Sequence, residues 1–352
     1  MNYISEERDV LATKYFFSCV YEGDDRFDPV TMSFVLYGCF KDPKSIDIET
    51  LSKIICLRNP RRRLIINNTF NAIFQTPLIK YIVNLVEPPL QGFLYYLCIP
   101  QVINEAKTIH VCLNSQVKES QRIEILADIF CSRTCEDLNF LSKVYRSEFK
   151  CKLFSSLDKI YKPNTNGINE IVKIFVMRGE TYRFQGVDPK LVAADLSRLQ
   201  RIFDEKDVFT LVCIFGARSN DHIYSLAQNY KMEFKQELIN ILKKQRFISK
   251  SLFTMLKTRI KYCEEPAQFY VKLLASKLTK VLNINRQNDD DNIRLIVKAL
   301  DEDFPNFDSS FKQKAKKTLS AAVSKYFPSS ELQSALVDFV ESNEYKQKIF
   351  SV

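Results

Sequence analysis

The chain has 352 residues, 46% of them hydrophobic, with 51 basic and 42 acidic side chains interspersed for a net charge of +9. This length and apolar content support a sizeable core, while only 7 glycines argue against tight hairpins or phosphate-cradling loops. No stretch approaches 18 uninterrupted apolar residues, which excludes a membrane-spanning helix, and two histidines, His110 and His222, supply no Ser-His-Asp, Cys-His or HExxH constellation.

Residues 1–29 read as a head segment, acidic between Met1 and Asp9 and without the apolar core of a signal peptide. Together with ten cysteines this indicates reduced thiols and a cytoplasmic location. Cys131 and Cys135, one helical turn apart, read as buried thiols, since a metal site would need more ligands than the sequence offers. The positive balance permits attraction to an anionic membrane, a nucleic acid or an acidic protein alike; of these, nucleic acid is the least expected partner.

Beyond the head a spacing recurs. An Arg is followed by an aromatic residue 12 positions on, Phe at 16 and Leu at 20. It reads Arg58, Phe70, Phe74, Leu78, then Arg133, Tyr145, Phe149, Leu153, then Arg218, Tyr230, Phe234, Leu238. A degraded copy is Ala299, Phe311, Ala315, Leu319, and the copies start 75, 85 and 81 residues apart. A near-fixed period predicts four helical repeats, at 30–102, 103–182, 183–265 and 266–352. Apolar positions four apart share a helix face, and Ser219-Asn220-Asp221 and Ser132 to Asp137 read as helix starts. The repeated Arg is either an exposed cation at a helix end or a structural group bonding the carbonyls there.

The segment Leu211 to Tyr230, with its IFGARSNDH stretch, resembles the second and third helices of the third annexin repeat. Ile129 to Tyr145 resembles the matching part of repeat two, and Asp289 to Val297 the second helix of repeat four. This resemblance implies an all-α fold of four repeats, about five helices each, forming a curved disc. It also implies calcium-dependent docking on acidic phospholipid, each ion held by carbonyls of a Gly-x-Gly-Thr-acidic loop and a carboxylate some 40 residues on.

The chain departs from that pattern in all four loops, which contain no glycine: Pro43 to Asp47, Lys118 to Gln121, Asp204 to Asp207 and Asn283 to Asp289. The carboxylate places hold Leu85, Pro163, Arg246 and Phe327. Family-type calcium binding is therefore not expected, and no other cofactor is implied. Asp289 and Asp290 are the one weak ion candidate, reading otherwise as a solvated acidic helix start. Basic side chains in the loops, Lys44, Lys118, Lys206 and Arg286, are the expected lipid contacts, unless they are only solvated loop charges. Arg61, Arg62 and Arg63 form a basic patch that the resemblance puts on the concave side, suited to a protein or polyanion. Two functions follow: a peripheral protein on acidic phospholipid with weakened or lost calcium dependence, or a scaffold for cytoskeletal partners, as in the giardin branch. Neither is an enzyme.

Overall fold

The computed structural model describes residues 27–133, 135–160, 186–266, 315–327 and 330–350, with short pieces at 174, 268–269, 272–273, 293–294, 296–298 and 311–313; for Cys135 and 342–350 it describes the backbone alone. Among these residues there is no strand. The helices are α1 (Pro29–Cys39), α2 (Ile48–Cys56), α3 (Pro60–Phe74), α4 (Leu78–Leu85), α5 (Leu90–Cys98), α6 (Gln101–Asn114), α7 (Glu119–Cys131), α8 (Cys135–Phe149), α9 (Leu153–Ile160), α10 (Pro189–Glu205), α11 (Val208–Ala217), α12 (Asn220–Phe234), α13 (Leu238–Lys244), α14 (Lys250–Glu264), α15 (Leu319–Tyr326) and α16 (Glu331–Phe350).

Local chemistry sets these boundaries. Asp28, Asn59 and Asp188 cap α1, α3 and α10, each followed by proline at the first helical position, where its missing N–H costs nothing. Ser219, Ser249 and Thr318 cap α12, α14 and α15 through their hydroxyls. The position after the third element of each sequence copy is left-handed: Gln75 (φ 52), Lys150 (φ 55), Lys235 (φ 54) and Lys316 (φ 57). The degraded fourth copy thus shares the backbone bend of the other three. Glycine would be the favoured residue at these places.

The chain divides into two compact units. One holds described residues up to Gln101 and those beyond Tyr270, and the other spans Val102–Phe269. In the first, α1 packs on α3, and α16 lies against α2 and α5, where Phe93 and Phe339 meet edge-on at 5.8 Å. In the second, α14 packs along α7 and α12 against α10 and α14. Its core includes Phe130, Tyr145, Phe215 and Met255, all fully buried. The repeated aromatics Phe70, Tyr145 and Tyr230 are core residues. Burial pushes the Cys39 and Cys98 thiols up to about 12, which leaves them protonated and inert. Cys131 is buried with Sγ 3.6 Å from the Met255 carbonyl.

Candidate functional site

Two of the three recurring arginines meet carboxylates. Arg133 grips Glu105 of α6 through Nε and Nη2, and Arg218 grips Asp195 of α10 at 2.6 and 3.2 Å. Each is a bidentate pair between the end of a repeat's second helix and a buried acid on its first. Arg198 and His222 also reach Asp195, at 2.9 and 3.1 Å. Burial alone would raise this carboxyl's pKa, yet hydrogen bonds from His222 and Arg218 and the Arg218 charge hold it well below the usual carboxylate range. For Arg58 the corresponding first helix, α1, contains no acid. Two further arginines bond carbonyls. Arg259, fully buried, donates to the Cys131 and Arg218 carbonyls at 3.1 Å each, and Arg63 donates to Leu97 and Arg58 at 2.9 and 2.6 Å.

That placement removes Arg63 from the expected basic patch. It is buried, with its guanidinium 5.8 Å from the Phe339 ring. Only Arg61 is fully exposed, while half-buried Arg62 lies 4.9 Å over Phe27. Three consecutive residues of a helix cannot share one face, since each step turns about 100°.

Three of the four candidate loop cations are described, and each is exposed in the connection between the first and second helix of its repeat. Lys44 lies between α1 and α2, with its N–H on Asp42 at 2.9 Å. Lys118 is the N-cap of α7 and offers no side-chain cap. Lys206 ends α10 in the left-handed region at φ 60. Arg286, Asp289, Asp290 and Pro163 lie outside the described residues.

These connections engage polar groups of their own within the chain. In the α6–α7 turn Arg122 stands at the acidic position of the loop pattern, four after Lys118. Its guanidinium takes the carbonyls of Cys112, Ser115 and Val117 at 3.0, 3.2 and 3.4 Å. In each of the other two turns one carboxylate is engaged as a helix cap: Asp47 accepts from Thr50 and Asp207 from Thr210, both at 3.0 Å. The downstream positions are apolar or cationic, with Leu85 ending α4, Phe327 closing α15 and Arg246 exposed after α13. Calcium needs several converging oxygens. Here one set of carbonyls already faces a cation, and one acid in each of the other two turns caps a helix.

Sequence reasoning missed a further basic feature. No Asp or Glu occurs from Leu238 to Cys263, and Lys243, Lys244, Arg246 and Lys250 are all exposed around the α13–α14 connection. The acid-free run was the available signal, but exposure could not be read from it. The structure also brings this connection to a predicted loop. Ser251 Oγ lies 3.5 Å from Glu119 Oε1, which sets Lys250 and Lys118, one residue earlier in each helix, at neighbouring helix starts.

No protein-family model matches the chain. Annexin D5 of Arabidopsis thaliana is 23% identical over 291 residues, covering 82% of this chain and 88% of the relative. Annexin III superposes with a TM-score of 0.79 at 16% identity, over 91% of this chain and 95% of that one. The chain is thus similar in sequence to annexins and shares their fold. A calcium-bound alpha-1 giardin superposes with a TM-score of 0.66 at 14% identity, over 90% and 99% of the two chains. The annexin-like fold is thus shared with both branches, with the larger overlap on annexin III. Among the described residues of this annexin-like chain, no group of three or more His, Cys, Asp or Glu could hold a metal. No helix among them is long and apolar enough to cross a membrane.

Proposed function

We infer that this annexin-like chain is a non-enzymatic peripheral membrane protein that binds acidic phospholipid through basic turns, without a bridging calcium ion. The observation that carries this reading is the repetition of an exposed lysine, Lys44, Lys118 and Lys206, in the first inter-helix turn of three successive repeats. Each Lys or Arg near an anionic surface contributes about 1 kcal/mol, and the attraction decays over a Debye length of roughly 8 Å at physiological salt. A guanidinium fixed on the turn carbonyls keeps the α6–α7 turn ordered without metal.

Co-sedimentation with vesicles of phosphatidylcholine and phosphatidylserine tests this. Binding is expected to be insensitive to chelator, to fall steeply with added salt, and to drop in the Lys44→Glu, Lys118→Glu, Lys206→Glu, Arg286→Glu protein. If wild type and variant bind alike, or neither binds, the membrane reading fails and a scaffold for protein partners takes its place.

A further inference from the structure

The acid-free stretch from Leu238 to Cys263 contains seven cations, and they divide by environment. Arg259 is buried and bonds carbonyls. Lys257 and Lys261 line a groove of about 700 Å³ along α14 that also holds Glu237, Glu264 and Glu265, so its charge is mixed. The remaining four, Lys243, Lys244, Arg246 and Lys250, lie within eight residues at the α13–α14 connection. Lys243 also borders the groove. Among the described residues none of the four is paired with a carboxylate.

The connection is held from beneath. Ile248 is buried at 8% exposure, and Phe247 packs against the core. The Ile248 N–H donates to the Gln245 carbonyl at 3.2 Å, and Ser249 caps α14 by accepting from Leu252 at 3.1 Å. The cations therefore project from a fixed turn rather than a loose loop, and little ordering remains to oppose binding. Lys118 joins them through the Ser251–Glu119 contact, with Glu119 the one carboxylate that the contact brings to this face.

We propose that the α13–α14 connection, with Lys118 beside it, binds a polyphosphorylated lipid headgroup at the membrane surface. This rests on the membrane reading above and adds the class of lipid. A singly charged headgroup matches one cation at a time, whereas five cations at the α13–α14 connection and the adjoining start of α7 match several phosphate groups on one molecule. Clusters of four to eight Lys or Arg recognise such headgroups, and the planar fork of Arg246 suits a phosphate bidentately. The site is the tip of two helices. It suits contact at a point on a flat bilayer better than the extended track that a nucleic acid requires.

The test uses the full chain, chelator and low salt. Vesicles contain phosphatidylcholine with either phosphatidylinositol 4,5-bisphosphate or enough phosphatidylserine to match its charge. Wild type is expected to bind the bisphosphate vesicles at least tenfold more tightly. The Lys118→Gln, Lys244→Gln, Arg246→Gln, Lys250→Gln protein should lose that preference, whereas Lys44→Gln, Lys206→Gln should keep it. All changes are at exposed positions, and circular dichroism checks that each variant is folded. Equal binding to the two charge-matched vesicles, or preference retained by the fourfold variant, overturns the headgroup assignment and leaves the general membrane reading standing. No binding to either vesicle overturns both. A single-stranded oligonucleotide bound as tightly as the bisphosphate vesicles at the same salt overturns the lipid assignment in favour of nucleic acid.

Discussion

In the turn between α6 and α7 a guanidinium gathers the carbonyls of Cys112, Ser115 and Val117. In the turn between α10 and α11 the order of charge is reversed, and the carboxylate of Asp207 receives the amide of Thr210. One turn satisfies its acceptors and the other its donors, and both do so with their own side chains. The lesson is that a connection able to host an external cation can be closed from within in either sense. The deeper supports differ as well. Repeat two rests on the pair Arg133–Glu105, while repeat three adds Arg198 and His222 around Asp195.

The largest expected effect is at that second acid. Asp195→Ala leaves Arg218 and His222 facing an emptied buried site and should cost about 3–5 kcal/mol of unfolding free energy, read by denaturant titration. Its folded pKa is depressed, so its contribution is complete above the unfolded carboxylate value of about 3.9 and is lost as pH falls toward the folded value. Wild-type stability should therefore fall more steeply than that of Asp195→Asn between about pH 5 and pH 2. Equal slopes would show that the pairing carries no charge.

Next in size is the guanidinium of the α6–α7 turn. Arg122→Gln should cost about 1–3 kcal/mol by leaving carbonyls without their charged donor. It should also speed hydrogen exchange around Ser115 to Glu119, with no recovery on adding calcium. Recovery with calcium would mean that the turn retains an ion site. Its counterpart, Asp207→Ala, should cost about 1 kcal/mol through loss of a helix cap, with thermal unfolding as the measurement. The smallest effect is a gain. Lys206 holds a left-handed conformation at φ 60, so Lys206→Gly should stabilise the fold by about 0.5–1 kcal/mol while removing a candidate lipid contact. Higher melting temperature with weaker vesicle binding would separate the two roles of this residue.

The helical repeat was legible because its signal is local: aromatic residues at multiples of four mark one helix face. The partners of the repeated arginines were not, because Glu105 and Asp195 lie 28 and 23 residues away along the chain. Proximity of that kind is created by packing. Arg63 shows the converse error. In a run of three arginines the sequence displays only charge, and the helix then rotates one of them into the core. The α13–α14 cations were visible as letters, but their common exposure depends on Phe247 and Ile248 pointing inward.

Arg259 has a consequence for how this chain can be rearranged. Its side chain belongs to α14, yet it fastens the end of α7 through Cys131 and the end of α11 through Arg218. The second and third repeats are therefore not independent beads. A chimera that imports the third repeat from a protein without this arginine leaves the Cys131 carbonyl without its buried donor. In recombination an imported third repeat has to bring that arginine with it.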